Sequence, residues 1–265
     1  MKTIFITGTS AGLGKATALL FQANGWHVIA TMRNPEKETE LNRLKNVTLL
    51  PLDVTNPEQI KETVNNAIAL GPVDVVFNNA GYGLVGALEA CTDEQITNQI
   101  DTNLTGVIRV TQAFIPHFKF KKNGMFITTT SVFGLVSNPL SSVYNATKFA
   151  LEGWSESISY ELDQFNIKVK TVAPGGIKSN YMNVMQLAQH NDYDALLQKM
   201  TKVFADGLLT FTEPEIIAQQ VYEAATDDKD KLTYTAGTDA EKLVALRQLL
   251  GADGFRITMT KSMQP

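Results

Sequence analysis

A doubly wound parallel α/β sheet with helices on both faces is the fold the sequence predicts, and two observations predict it. Short β-branched runs alternate along the chain with longer amphipathic stretches, the rhythm of repeated strand and helix units. The runs are apolar throughout rather than at every second residue, so both faces of each strand must be covered, as in a parallel sheet between two helical layers. At 265 residues the chain is close to the largest size that one hydrophobic core serves, and a single domain over 1–265 is expected. No internal repeat, low-complexity stretch or linker divides it.

The first strand is read over Thr3–Thr7. It runs into Thr7-Gly8-Thr9-Ser10-Ala11-Gly12-Leu13-Gly14 and then a helical stretch from Lys15 to Asn24. Val28–Thr31, Val47–Leu50, Val73–Phe77, Met125–Thr129 and Lys168–Ala173 read as the strands that follow. Helix starts are signalled by a capping side chain with an acid or amide close behind: Asn56-Pro57 with Gln59, Thr92 with Gln95, Thr212 with Glu215, and Thr238 with Glu241. The stretch from about 179 to 211, rich in Met, Gln and Asp, breaks the rhythm. It reads as a helical excursion serving as a substrate loop or lid, the usual role of a long insertion in a compact domain.

Composition narrows the function. An apolar share of 44% supports a globular fold, and a net charge of -4 without a basic run gives no footprint for nucleic acid or an anionic membrane surface. Cys91 is the only cysteine, which excludes an intramolecular disulfide and a multi-cysteine metal site. It reads as a small residue ahead of a helix rather than a catalytic thiol. No long apolar core with a cleavage site precedes the first strand. No run is long and apolar enough to span a bilayer. A cytoplasmic protein is expected.

Glycines at a strand-to-helix turn let the backbone approach a pyrophosphate, and the helix start offers N–H groups and a positive dipole end to its charge. The same residues also fit Gly-x-Ser-x-Gly, with Ser10 where a hydrolase carries its nucleophile. That reading fails on setting. Ser10 follows the first strand, before the rest of a sheet exists, and neither His27, His117 nor His190 has a position suited to a partner base.

Tyr144-Asn-Ala-Thr-Lys148 places a phenol and an ammonium one helical turn apart. A cation beside a phenol favours the phenolate and moves a hydroxyl that ordinarily titrates near 10 toward the range of a working acid or base. Ser131 lies thirteen residues upstream. Asp53-Val54, Asn78-Asn79-Ala80-Gly81, Ser131 and Pro174-Gly175 each end a predicted strand, and Asn103 lies in Asp101-Thr-Asn-Leu104. Sites in open α/β sheets form at such carboxyl ends.

With the Thr-Gly-x-x-x-Gly-x-Gly turn, Asn-Asn-Ala-Gly, the Ser-to-Tyr interval and Tyr-x-x-x-Lys all present, the chain resembles a compact short-chain dehydrogenase/reductase from Thr3 to about Gly251. The resemblance implies a Rossmann-type sheet of about seven strands. It implies that Tyr144 exchanges a proton with the substrate oxygen and that Ser131 hydrogen-bonds that oxygen. Lys148 would lower the Tyr144 pKa and bind the nicotinamide ribose, and Asn103 would hold a water that links Lys148 to solvent. Gly8, Ser10, Gly12, Leu13 and Gly14 would cradle the pyrophosphate, with Asp53 and Val54 at the adenine and Asn79, Ala80 and Gly81 at the adenosine ribose. Pro174, Gly175, Ile177 and Ser179 would seat the carboxamide. The asparagines also have a plainer reading, as ties between neighbouring backbones. No metal is implied.

The end of the second strand distinguishes the two nicotinamide cofactors. Met32 stands where relatives that use NAD carry an Asp, and Arg33 follows, a guanidinium suited to a 2′-phosphate. Ala11 fills the other position where many NADP-using relatives are basic. NADP(H) is favoured, with NAD(H) the alternative. The cleft lining expected from Tyr82–Leu84, Val132–Leu135, Tyr181, Met182 and Met185 is mostly apolar and suits a small hydrophobic carbonyl or alcohol. Ala30–Arg33 and Tyr234–Ala240 look most like the branch with 17β-hydroxysteroid- and retinol-type reductases. The family commonly pairs subunits through the Tyr-bearing helix and the one before it. Phe149, Leu151, Trp154, Ile158, Phe114 and Phe118 are candidates for that face, in a homodimer or homotetramer, unless they face the sheet.

Overall fold

The computed structural model of the chain describes residues 1–178 and 185–264. Its strands are β1 (Thr3–Thr7), β2 (His27–Met32), β3 (Val47–Pro51), β4 (Val75–Asn78), β5 (Leu84–Gly86), β6 (Gly124–Thr129), β7 (Ile167–Pro174), β8 (Gln186–Ala188) and β9 (Thr233–Ala236). The α-helices are α1 (Gly12–Ala23), α2 (Pro57–Ala69), α3 (Asp93–Ile100), α4 (Gly106–Lys121), α5 (Ser142–Asp163), α6 (Asp194–Val203), α7 (Pro214–Thr226) and α8 (Thr238–Met263). Seven strands form one sheet in the order β3-β2-β1-β4-β6-β7-β9, parallel at every pairing. The chain winds outward from β1 in one direction and then in the other, so the order reverses between β1 and β4. A crevice forms there.

Alternation along each strand feeds two cores. Ile4, Ile6, Val28 and Ala30 pack with Leu13, Phe21, Ile217 and Val221 beneath α1 and α7. Phe5, Ile29, Val76 and Phe126 pack with Ile60, Val110, Phe114 and Leu162 beneath α2, α4 and α5. A third cluster joins Val132 and Val136 to Leu243 and Phe255 of α8. Leu151, Phe114 and Phe118 are fully buried, and the two phenylalanines fill the α4 side of the sheet core. Three of the residues expected on a subunit face therefore belong to the interior. Ile158 also packs against this core, while Phe149 stays 41% exposed.

Local signals fared unevenly. Thr92 and Gln95 close the expected reciprocal cap on α3, and Asn56 accepts from the Gln59 N–H at the start of α2. Thr212 and Thr238 cap nothing. α7 starts at Pro214 and α8 at Thr238 itself, without a side-chain cap at either. The fourth strand begins at Val75 rather than Val73, because the Val73 N–H lies 3.1 Å from His117 Nε2 and its carbonyl accepts from Lys121 Nζ at 2.6 Å. A side-chain pair from the end of α4 has replaced the strand partner. The excursion contains α6, as expected, and also β8, which pairs with β5 in a second small parallel sheet.

Candidate active site

The glycine turn sits at the carboxyl end of β1, held from both sides. Gly8 and Thr9 N–H groups donate to Thr31 O on β2 (2.9 and 3.0 Å). From the β4 side, Asn79 Nδ2 donates to Thr7 O and Gly8 O (both 3.1 Å), while Thr7 Oγ1 accepts from the N–H groups of Asn79 and Ala80. The Asn79 amide nitrogen is thus engaged in shaping the turn, while Oδ1 has only a 3.4 Å contact with Thr129 Oγ1. A Cβ on Gly14 would run into Gly8 O and Asn79 Nδ2, and Gly8 itself has φ +72. Only glycine permits this close approach. α1 begins immediately afterwards with Ala11 as N-cap, no side-chain cap and no acidic residue in its first turn. Its leading N–H groups and dipole are left to an outside acceptor.

At the end of β2, Met32 is buried and Arg33 is exposed. Among the described residues Arg33 has no ion-pair partner. The acids nearby are engaged, with Lys15 Nζ 3.2 Å from Glu38 and 2.9 Å from Glu40. Glu38 also accepts from the Glu40 and Leu41 N–H groups. Asp53 turns inward on Thr55, whose N–H and hydroxyl it accepts at 2.9 and 2.7 Å. Val54 is buried, with its carbonyl against Gly106.

α5 carries Tyr144 and Lys148 on one face. Lys148 is buried, its Nζ 5.8 Å from the Tyr144 ring centroid and donating to Thr129 O at 2.8 Å. Burial pushes its ammonium down to about 8, against a pull from the Glu152 carboxylate. β6 ends at Thr129, and Ser131 lies just beyond, capping the short turn Val132–Gly134 by accepting from the Phe133 N–H at 3.1 Å. That turn rests on α5 so closely that a Cβ on Gly134 would meet Lys148 O at 2.8 Å. Ser131, Tyr144 and Lys148 are thereby brought to one end of the sheet.

Asn103 stands in a π-helical turn, Asp101–Thr105, between α3 and α4, a widening often found at functional sites. It is buried, with Oδ1 accepting from Tyr82 N–H (3.1 Å) and Nδ2 donating to Tyr82 O (2.8 Å). Gly81 lies beside it. Beyond β7, Gly175 N–H donates to Ala236 O, and Ile177 bridges Thr212 where the excursion returns. Met185 leads into β8, whose Gln186 N–H donates to Gly83 O, so it lies near the expected cleft wall. Ser179, Tyr181 and Met182 fall outside the described residues.

Two features were not anticipated. Asp239, 1% exposed in the first turn of α8, accepts at Oδ2 from the N–H groups of Gly176 (2.8 Å) and Thr210 (3.2 Å). It ties the loop after β7, the return of the excursion and the C-terminal helix at one point. The signal was present in Thr-Ala-Gly-Thr-Asp-Ala, a buried-looking acid just after a glycine, but the cap pattern drew attention to Thr238 and Glu241. The second is a cavity of about 520 Å³ between the loop Ser137–Pro139, α6 and α8, lined largely by Leu196, Phe255, Met259 and Met263. Its walls come from segments far apart in sequence.

Residues 2–190 match the family model for the short chain dehydrogenase. The chain belongs to that family. An uncharacterized oxidoreductase of Schizosaccharomyces pombe is 38% identical to this short-chain dehydrogenase over 88% of the chain and 99% of its own length. A 3-ketodihydrosphingosine reductase of Bacteroides thetaiotaomicron is 36% identical over 74% of both. Among solved structures, a short-chain dehydrogenase from Streptomyces avermitilis superposes with a TM-score of 0.86 at 29% identity, covering 98% of this chain and 97% of that one. ElxO with NADP bound gives 0.75 at 28% identity, covering 88% and 97%. The protein is an oxidoreductase with a Rossmann-type fold. Among the described residues no helix is long and apolar enough to cross a membrane.

Proposed function

We propose that this dehydrogenase interconverts a ketone or aldehyde and its alcohol with NADP(H), using Tyr144 as the general acid and base. The observation that carries the reading is the buried Lys148 ammonium against the Tyr144 ring, at the strand ends that also present Ser131. The bare start of α1, the glycine cradle and the exposed Arg33 guanidinium fit a dinucleotide with a 2′-phosphate. When bound, the nicotinamide supplies or accepts the hydride.

In reduction Tyr144 gives its proton to the carbonyl oxygen, and in oxidation it takes the proton back. Ser131 donates a hydrogen bond to the same oxygen and stabilises charge that develops there. Lys148 lowers the cost of the Tyr144 phenolate and binds ribose hydroxyls, with Asn103 holding the water that links it to solvent. Gly8, Ser10, Gly12, Leu13 and Gly14 hold the pyrophosphate, Asp53 and Val54 the adenine, Asn79, Ala80 and Gly81 the adenosine ribose. Pro174, Gly175, Ile177 and Ser179 seat the carboxamide. ElxO, at 28% identity, was solved with NADP bound, in line with the choice of cofactor. An NAD(H)-preferring enzyme and a non-catalytic NADP sensor are the alternatives, and a sensor has no use for Ser131, Tyr144 and Lys148 together.

The substrate is a small hydrophobic carbonyl or alcohol, with Tyr181, Met182 and Met185 on the substrate side, acted on in the cytoplasm by one catalytic domain. A homodimer or homotetramer would use the outer side of α5, where Phe149 is 41% exposed. Turnover of NADPH and NADH with a panel of ketones and aldehydes tests the reading. NADPH-dependent reduction that disappears in Tyr144→Phe supports it, and native protein inert toward the whole panel with both cofactors counts against it.

A further inference from the structure

Glu152 lies one turn beyond Lys148, so Tyr144, Lys148 and Glu152 form one row along α5. The row points at the sheet. Glu152 Oε2 accepts from Thr171 Oγ1 of β7 (3.1 Å) and Thr233 Oγ1 of β9 (3.2 Å). Thr130, between the Lys148 acceptor Thr129 and Ser131, instead donates its hydroxyl to Val172 O at 3.2 Å. Oε1 is buried with no partner in the protein. These hydroxyl donors from neighbouring strands pull toward the charged form of the acid, against the burial that favours the neutral one.

We propose that Glu152 is a positioning residue, the fixed counter-charge that keeps the buried Lys148 ammonium protonated and so sets the pH range over which Tyr144 serves as an acid. The inference rests on the reading of Tyr144 and Lys148 given above. Lys148 has no other charged group acting on it among the described residues. β6 and the Val132–Gly134 turn carry no charged side chain. In β7, Lys170 faces the opposite layer, where it pairs with Asp227, and Lys168 pairs with Asp163 at the surface. Asp101 in the π-turn and Asp93 and Glu94 at the start of α3 exert no resolved pull on Lys148.

Direction follows from the charges. Burial lowers the Lys148 pKa to about 8 with the Glu152 charge already opposing that fall, so removal of the charge takes it lower. Burial raises the Glu152 carboxyl above its ordinary range, outweighing the Thr171 and Thr233 hydroxyls and the Lys148 charge that pull it the other way. On the proposed mechanism Tyr144 and Lys148 act as a coupled pair. Reduction needs both protonated, so its rate falls above the first macroscopic pKa of that pair, and loss of a neighbouring negative charge moves this limb to lower pH.

The test titrates Lys148 directly. In cofactor-free protein labelled with ¹³Cε-lysine, with the Lys148 signal assigned by Lys148→Arg, Glu152→Gln should lower the midpoint by on the order of one pH unit. The basic limb of kcat/KM for a carbonyl substrate with NADPH should move down by a similar amount, while Glu152→Asp returns both toward native values. A loss of activity equal at every pH, with the midpoint unmoved, would overturn the proposal. Glu152→Met, of similar length and needing no hydrogen bonds, replaces Glu152→Gln if that variant does not fold. Failure of both to fold would make Glu152 a core residue and overturn the proposal as well. If the midpoint moves but the native protein shows no Tyr144-dependent turnover, the counter-charge stands and the proposed function fails.

Discussion

Replacing Arg33 by Ala isolates the 2′-phosphate of the cofactor. Arg33 is exposed and without an ion-pair partner among the described residues, whereas Lys15, the nearest cation on α1, is held between Glu38 and Glu40. One guanidinium would therefore meet a bound 2′-phosphate alone. Two unit charges about 4 Å apart attract by ~1 kcal/mol in water, and a phosphate carrying close to two charges doubles that to ~2 kcal/mol at a solvent-exposed site. At ~1.4 kcal/mol per decade, the loss amounts to about 30-fold. Arg33→Ala should lower kcat/KM for NADPH by about that factor and leave NADH nearly unchanged, read from initial rates with each cofactor at fixed carbonyl substrate. Equal losses with the two cofactors would refute the assignment, because an effect shared by NADH cannot come from a phosphate it lacks.

Gly14→Ala should abolish NADPH binding, followed by cofactor fluorescence, while circular dichroism stays native, since its Cβ would strike Gly8 O and Asn79 Nδ2 in the turn itself. Asp239→Ala leaves the Gly176 N–H without its acceptor in a buried setting and should cost about 1–3 kcal/mol in denaturant melts, with a raised KM for NADPH. Asp227→Asn breaks a buried pair with Lys170 at 2.9 Å and should cost ~3–5 kcal/mol. Burial pushes the Asp227 carboxyl up, but hydrogen bonds from Lys170, Tyr234 and the Lys229 N–H outweigh it and hold it at about 2. Its folded pKa thus lies below the ordinary carboxylate value, so this stabilisation is present above about pH 4 and disappears as pH falls toward 2. Thermal melts of native and Asp227→Asn protein should converge in that window. A gap that persists unchanged through it would contradict the assignment.

The sheet was legible because burial on both faces writes uninterrupted apolar runs, and those runs recover the seven strands of the sheet except β9. Thr233–Ala236 is only four residues long and polar at alternate positions, which leaves too little signal for a strand. β5 and β8 are three residues each and exist through pairing with one another, so nothing local announces either. Val73 shows the reverse case, an apolar residue with strand character whose backbone partners are side chains of α4. At the site, motif spacing located Tyr144, Lys148, Ser131 and the glycine turn at one end of the sheet. Asp239 and Glu152 escaped because their meaning lies in partners up to eighty-one residues away, such as Thr233 for Glu152. Phe114 and Phe118 were ambiguous for the same reason, since a helix pattern marks an apolar face without saying what covers it.

In the proposed mechanism the Tyr144 phenol passes the proton that completes carbonyl reduction. Tyr144→Phe removes that hydroxyl and leaves the ring, Lys148 and the glycine turn in place. Single-turnover oxidation of bound NADPH by a reducible ketone should slow by about 100-fold or more, with NADPH affinity unchanged by calorimetry. Turnover at the native rate in that variant, with cofactor bound as tightly, would contradict the mechanism.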